Sequence, residues 1–197
     1  RFFGRDFRRL RSKTRGTSLL GALRSPALVS SLLFAAGGVG FAVGNILLAR
    51  VLPPQEYGYV ALFLALIQLA ITLGPVGLGT VIVRHDLGAR AALLARAFGT
   101  SPIVGGALGA ASMALYGVDP VLAAVLALTP LAVSLNKVAG SFFQSRRRYG
   151  LSLFLNQIHN WIVLCSVPVV MVCGRPDALP AALTITAGYC VMAAAGW

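Results

Sequence analysis

The amino-acid sequence predicts an all-α membrane protein, a polytopic bundle of six transmembrane helices. Six apolar stretches follow one another, and each is close to the ~20 residues that a helix needs to cross a bilayer. Charged residues make up only 11% of the 197 residues and hydrophobic residues 57%, whereas a soluble domain carries roughly a quarter charged residues. In hydrocarbon the backbone must satisfy its own polar groups, so spans of this length are helices. The predicted spans are Pro26–Ala49, Gly58–Val83, Ala97–Gly117, Pro120–Phe143, Leu151–Cys173 and Leu179–Trp197.

The basic residues alternate between the gaps that separate the spans. Eight of the 17 precede the first span, and three more lie in each of the second and fourth gaps. The other gaps hold only Arg50 and Arg175, together with three acidic residues. Because loops rich in Arg and Lys stay in the cytoplasm, the sequence predicts that both ends of the six-span block are cytoplasmic.

Residues 1–25 are predicted to form a cytoplasmic basic arm. Phe3, Phe7 and Leu10 fall on one helical face, which is compatible with a segment that lies on anionic lipid; a signal that only fixes orientation explains the arm equally well. The net charge of +12 does not indicate a nucleic-acid partner, because such binding needs a basic face on a folded domain. The chain begins without Met and ends inside an apolar run, so we expect it to be part of a longer protein.

Small residues and proline mark how the spans pack and bend. Ala36, Gly40 and Gly44 in the first span recur every four residues, a pattern that lets helices approach closely in lipid. The third span repeats this with Gly105 and Gly109. Gly74 and Pro75 predict a kink or hinge in the second span, and the sequence leaves open whether that bend serves function.

Polar residues recur at helical spacing on the fourth and fifth spans. Lys137 lies six residues from the inner end of its span, a depth of about 9 Å, and Asn156 lies at a comparable depth. We expect the two polar faces to line a water-filled vestibule. Alternatively, Lys137 extends to the interface and the amides bond between helices, and His159 is either a proton relay or a structural residue. The two faces are Ser134, Lys137, Ser141 and Gln144, and Ser152, Asn156, His159 and Asn160.

Catalytic and metal-binding patterns are missing from the sequence. His85-Asp86 is the one neighbouring His–carboxylate pair, and no further ligands are spaced to join it. Cys165, Cys173 and Cys190 lie within spans and are expected to be packing residues. Nucleotide-binding and zinc-protease motifs do not occur. The sequence predicts neither an enzyme nor a cofactor.

The most specific motif joins the first two spans. It reads Leu-Leu-Ala-Arg-Val-Leu-Pro-Pro-Gln-Glu-Tyr-Gly-Tyr over residues 47–59, followed by Gly77-Leu78 and a closing Arg84. This pattern resembles the bacterial O-antigen flippases of the Wzx type, within the multidrug/oligosaccharidyl-lipid/polysaccharide exporter superfamily. Pro53 stands where those proteins commonly have Gly.

The resemblance implies a transporter of two six-helix lobes in the bacterial cytoplasmic membrane, of which this chain is the N-terminal lobe and lacks the C-terminal lobe. Its partners would be membrane lipids and an oligosaccharide linked to polyprenyl pyrophosphate, which it moves across the membrane in polysaccharide or lipopolysaccharide biosynthesis. The candidate substrate-binding residues are Arg50, Arg84, Lys137, Asn156 and His159.

Other interpretations remain open for the residue roles and for the function. Arg50 is equally well explained as an ion-pair partner of Glu56 or as an anchor of the turn. A multidrug-type exporter of the same superfamily is one alternative function, although it usually carries a carboxylate inside the first lobe. A polymerase or ligase acting on polyprenyl phosphates, or a non-transporting component of envelope assembly, are the others.

Overall fold

The computed structural model describes residues 26–73, 81–83, 90–174 and 177–197, and this part of the chain is helical without strands. Six of its helices are long and apolar enough to cross a membrane. The predicted all-α, six-helix fold class is therefore confirmed. The helices are α1 (Pro26–Val51), α2 (Pro54–Leu73), α3 (Arg90–Tyr116), α4 (Pro120–Ser145), α5 (Tyr149–Cys173) and α6 (Ala178–Gly196).

The helices begin and end where local chemistry favours it. α2 and α4 both start on a proline, whose missing N–H costs nothing at the first helical position. Asp119 caps α4, and its Oδ2 accepts from the backbone N–H of Val121 at 2.8 Å. α3 extends seven residues before the predicted span, because hydropathy marks only the hydrocarbon-deep portion of a helix.

α4 is the central helix of the bundle. It packs against α2, α3, α5 and α6, and its buried side chains include Leu126, Val133 and Val138. Polar contacts supplement the apolar packing: the hydroxyls of Thr129 on α4 and Thr186 on α6 are 2.8 Å apart. Movement of α4 would consequently disturb packing against four neighbours.

Glycines hold the two outer helices close to the core. On α1, a methyl group at Gly44 would lie 2.9 Å from the Leu164 backbone nitrogen of α5. On α3, a methyl at Gly109 would lie 3.0 Å from the Ala123 carbonyl oxygen of α4. The predicted close-packing role of the glycines is correct, but Ala36 is exposed. It lies one position away from the helix face that contacts α5.

The two ends of the bundle carry different charges. Short connections make consecutive helices alternate in direction, so the beginnings of α2, α4 and α6 share one end. Accordingly, Oε2 of Glu56 on α2 accepts a hydrogen bond of 2.8 Å from the Ala178 N–H of α6. We call this the acidic end, because Asp119 and Asp177 also lie there, and we call the opposite end, which carries Arg146–Arg148, the basic end.

Some sequence expectations fall outside the described residues. These are the basic arm, the hinge at Gly74 and Pro75, Arg84, and the His85-Asp86 pair. The cysteines are described and have free thiols, but all three are exposed. The expectation that they pack in the interior is therefore wrong, because in lipid an outward-facing position is as apolar as an inward-facing one.

Candidate functional site

A cavity of about 520 Å³ lies among α1, α2, α4, α5 and α6. On α4 its lining extends from Val133 to Gln144, eleven residues or about 16 Å of helix. Gln144 and Tyr149, both exposed, border it next to the basic end. Tyr189 of α6 lines it deeper in the bundle, where only 3% of this side chain is exposed. The cavity thus runs from the basic end toward the middle of the bundle.

Lys137 is the one lining residue with a permanent charge, and no carboxylate lines the cavity in the described part of the chain. Its Nζ donates a 2.8 Å hydrogen bond to Oδ1 of Asn156. Asn156 in turn donates from Nδ2 to the Ser152 carbonyl at 2.8 Å. This chain orients the ammonium group, but an amide supplies no counter-charge. The cavity therefore carries an unneutralised positive charge on its wall.

The antiparallel pairing of α4 and α5 explains why these residues meet. Lys137 lies eight residues before the end of α4, and Asn156 lies seven residues after the start of α5. Since the connection between the helices is short, equal depths face one another. His159, half-buried and one turn beyond Asn156, lines the same cavity.

The structure brings Lys137, Asn156 and His159 into one cavity and leaves Arg50 out of it. Arg50 is exposed in the last turn of α1, at the acidic end. Glu56 does not form the alternative ion pair with Arg50, since its carboxylate accepts from the Ala178 amide instead. Substrate binding by any of these residues stays a prediction.

The polar faces expected on α4 and α5 line the cavity only in part. Ser134 is fully buried away from it, with no hydrogen-bond partner for Oγ among the described residues. Ser141 donates to the backbone carbonyl of Lys137 at 3.1 Å. Asn160 donates to Oε1 of Gln157 at 2.9 Å. These three side chains serve helix packing.

Sequence reasoning missed three lining residues, Asn136, Gln157 and Tyr189. Nδ2 of Asn136 donates to the Leu155 carbonyl of α5 at 3.0 Å, which fixes the orientation of the amide. Its Oδ1 is buried without a partner in the described structure. The sequence carried one clue to Asn136, an amide directly beside an intramembrane lysine.

The arrangement suits a ligand that combines negative charge with hydroxyl groups. A cation in a site of low polarity binds an anion strongly, and amides and hydroxyls can donate to or accept from a sugar-like surface. Among the described residues, no three His, Cys, Asp or Glu side chains are grouped to hold a metal ion.

Comparison with known proteins gives one match. The model of a family described as "Polysaccharide biosynthesis protein" matches residues 47–177, from the end of α1 to the connection before α6. No curated protein and no solved structure matches the chain.

Proposed function

Since the chain belongs to the polysaccharide biosynthesis protein family, we propose that it is a flippase for a lipid-linked oligosaccharide. In this proposal the protein lies in the bacterial cytoplasmic membrane with a cytoplasmic N-terminus. It moves a saccharide carried on polyprenyl pyrophosphate from the inner to the outer leaflet, in polysaccharide or lipopolysaccharide biosynthesis.

The single observation that carries the proposal is the cavity with Lys137 on its wall. A diphosphate that leaves water needs a cation, because burying an unpaired charge is very costly. The saccharide needs hydrogen-bonding groups, which Asn156, Gln157 and Tyr189 offer along the same cavity. A volume of about 520 Å³ lies within the range of ordinary ligand pockets.

The proposal includes a second six-helix lobe, which would close the remaining side of the pathway. A flippase must expose its binding site alternately to the two leaflets, and two rigid halves that rock against each other can do so. The cavity reaches the basic end, which is the cytoplasmic end in this proposal. The described structure therefore corresponds to a lobe open toward the leaflet in which the substrate is made.

Two observations favour a sugar-lipid substrate over the alternatives. In the described helices the only carboxylate is Glu56, in the first turn of α2, where it bonds to α6, so no deep carboxylate offers the ion coupling expected of a multidrug-type exporter. The described connections at the acidic end are a few residues long, which leaves little room for the catalytic domain of a polymerase or ligase.

The test replaces Lys137 in the full-length protein. K137M should reduce the rate of flipping of a polyprenyl-diphosphate oligosaccharide in proteoliposomes by about 10- to 100-fold, since hydrogen bonds to charged groups contribute about 1.5–3 kcal/mol. K137R should retain most of the rate, because it keeps the charge. R96Q is the control, since Arg96 is exposed on α3 and does not line the cavity.

The amount of reconstituted protein must be equal for all variants. Flipping by K137M at the wild-type rate would return Lys137 to a purely structural role. Absence of flipping by the wild-type protein, with a stable fold and with efflux of cationic drugs, would replace the proposal by the multidrug alternative.

A further inference from the structure

Three consecutive arginines, Arg146–Arg148, form the turn between α4 and α5, and all three are exposed. The residues on either side of this turn belong to the cavity, because Gln144 and Tyr149 line it. The arginines therefore lie at the border of the cavity and on the same two helices as Lys137 and Asn156.

Backbone hydrogen bonds fix the turn to the end of α4. The N–H of Arg147 donates to the Gln144 carbonyl at 3.0 Å, and the N–H of Arg148 donates to the Phe143 carbonyl at 2.9 Å. The guanidinium carbon of Arg146 lies 5.0 Å from the centroid of the Phe142 ring, within the range of a cation–π contact. The guanidinium groups thus start from a defined base.

Arg147 adopts a backbone conformation that disfavours its own side chain. Its φ is 58°, in the left-handed region that glycine and asparagine enter most readily. Glycine fills this position at Gly117 and Gly174, the other described residues with positive φ. Arginine here indicates that the side chain has a use beyond closing the turn.

No described carboxylate can neutralise this turn. Glu56, Asp119 and Asp177 are the described acidic residues, and all three lie at the opposite end of the bundle. Three adjacent exposed cations without an acidic partner attract an anion from outside the bundle. At the level where a membrane helix leaves hydrocarbon, the abundant anion is the phosphoryl group of a lipid.

We propose that Arg146–Arg148 bind the phosphoryl headgroup of a lipid at the mouth of the cavity, before that headgroup reaches Lys137. This inference rests on the proposed function for the direction of travel. Arg146 and Lys137 are nine residues apart, about 14 Å along the bundle, so they hold the headgroup at successive positions. Either a diphosphate lipid substrate or a bulk anionic phospholipid carries the required chemistry.

The experiment measures lipid binding to the full-length protein in nanodiscs, where both faces are accessible and inserted orientation is irrelevant. Polyprenyl diphosphate is titrated into phosphatidylcholine discs in one arm, and phosphatidylglycerol replaces it in the other. Each surface arginine is expected to contribute about fivefold in affinity, so R146Q/R147Q/R148Q should weaken binding roughly 100-fold. The matched single variants are R147Q, with a loss of about fivefold, and R96Q, with none.

Loss of affinity confined to polyprenyl diphosphate would identify the substrate as the ligand, and an equal loss for phosphatidylglycerol would identify bulk lipid; both support the phosphoryl site. Binding by the triple variant within twofold of wild type in both arms would overturn it. This measurement is independent of transport, so a protein that flips normally with unchanged binding refutes only the mouth site. A protein that binds through these arginines but does not flip refutes only the flippase.

Discussion

The contact between α2 and α6 at the acidic end allows a quantitative prediction. Oε2 of Glu56 accepts from the Ala178 N–H, which is the first amide of α6. The first four N–H groups of a helix have no partner within the helix, and Pro180 has none to offer, so α6 has three such donors. Asp177, the residue that precedes α6, makes no side-chain capping bond. Glu56 thus supplies from another helix what a local cap would supply.

We expect E56A to cost about 1–2 kcal/mol at this end of the bundle. Loss of a helix cap costs about 0.5–2 kcal/mol, and a negative charge near a helix N-terminus adds about 0.3–1 kcal/mol, part of which is screened because Glu56 is only half-buried. This range corresponds to an exchange rate of the Ala178 amide that is about 5- to 30-fold faster. E56Q keeps an acceptor oxygen and loses only the charge, so it should accelerate exchange about twofold.

Hydrogen–deuterium exchange read by mass spectrometry on peptides that start at residue 178 measures the effect in detergent micelles. D119A is the matched control, because Asp119 caps its own helix. It should accelerate exchange at Val121 and leave Ala178 unchanged. Unaltered exchange at Ala178 in E56A would refute the reasoning, since the hydrogen bond would then contribute nothing to the protection of α6.

Two further predictions concern packing and orientation. G44A should destabilise the protein by about 1–3 kcal/mol in a denaturant titration, because the added methyl lies 2.9 Å from the Leu164 nitrogen, whereas G38A, which meets nothing within 4 Å, should be near neutral; equal stability of the two variants would contradict the close contact of α1 with α5. In a background without the native cysteines, single cysteines placed at the acidic end should react with an impermeant maleimide from outside the cell, and reaction only from the cytoplasm would reverse the predicted topology. The positions are Glu56, Asp119 and Asp177.

The sequence predicted the parts of the fold that depend on length and depth. Six apolar stretches predict six helices because the bilayer fixes the length of a span. The meeting of Lys137 with Asn156 followed from equal depths on two helices with a short connection. Depth along a helix can be counted from the sequence, and antiparallel neighbours convert equal depth into proximity.

Helix rotation could not be predicted in the same way. In water, the apolar face of a helix shows which side is buried, but in lipid the outward face is equally apolar. The register of α1 was therefore placed on Ala36, although its neighbour Gly37 is the buried residue. Tyr189 was overlooked for the same reason, because nothing in its apolar surroundings marks a cavity-facing position.

Partners that are distant in the chain were the other source of error. The bond from Ala178 to Glu56 spans 122 residues, and local spacing instead favoured Arg50 as the partner of Glu56. The amide of Asn136 is fixed by a backbone carbonyl of α5. Backbone groups leave no mark in the sequence, so such contacts emerge only from coordinates.

The packing of α1 has a consequence for biogenesis. α1 packs extensively on α5 and only slightly on its neighbour α2, and about 100 residues separate the end of α1 from the start of α5. At a translation speed of about 5–20 residues per second, the ribosome needs roughly 5–20 seconds to complete that interval. During this time the glycine surface of the first helix has no permanent neighbour. The insertion machinery, or another lipid-embedded chaperone, must shelter it until the fifth helix arrives.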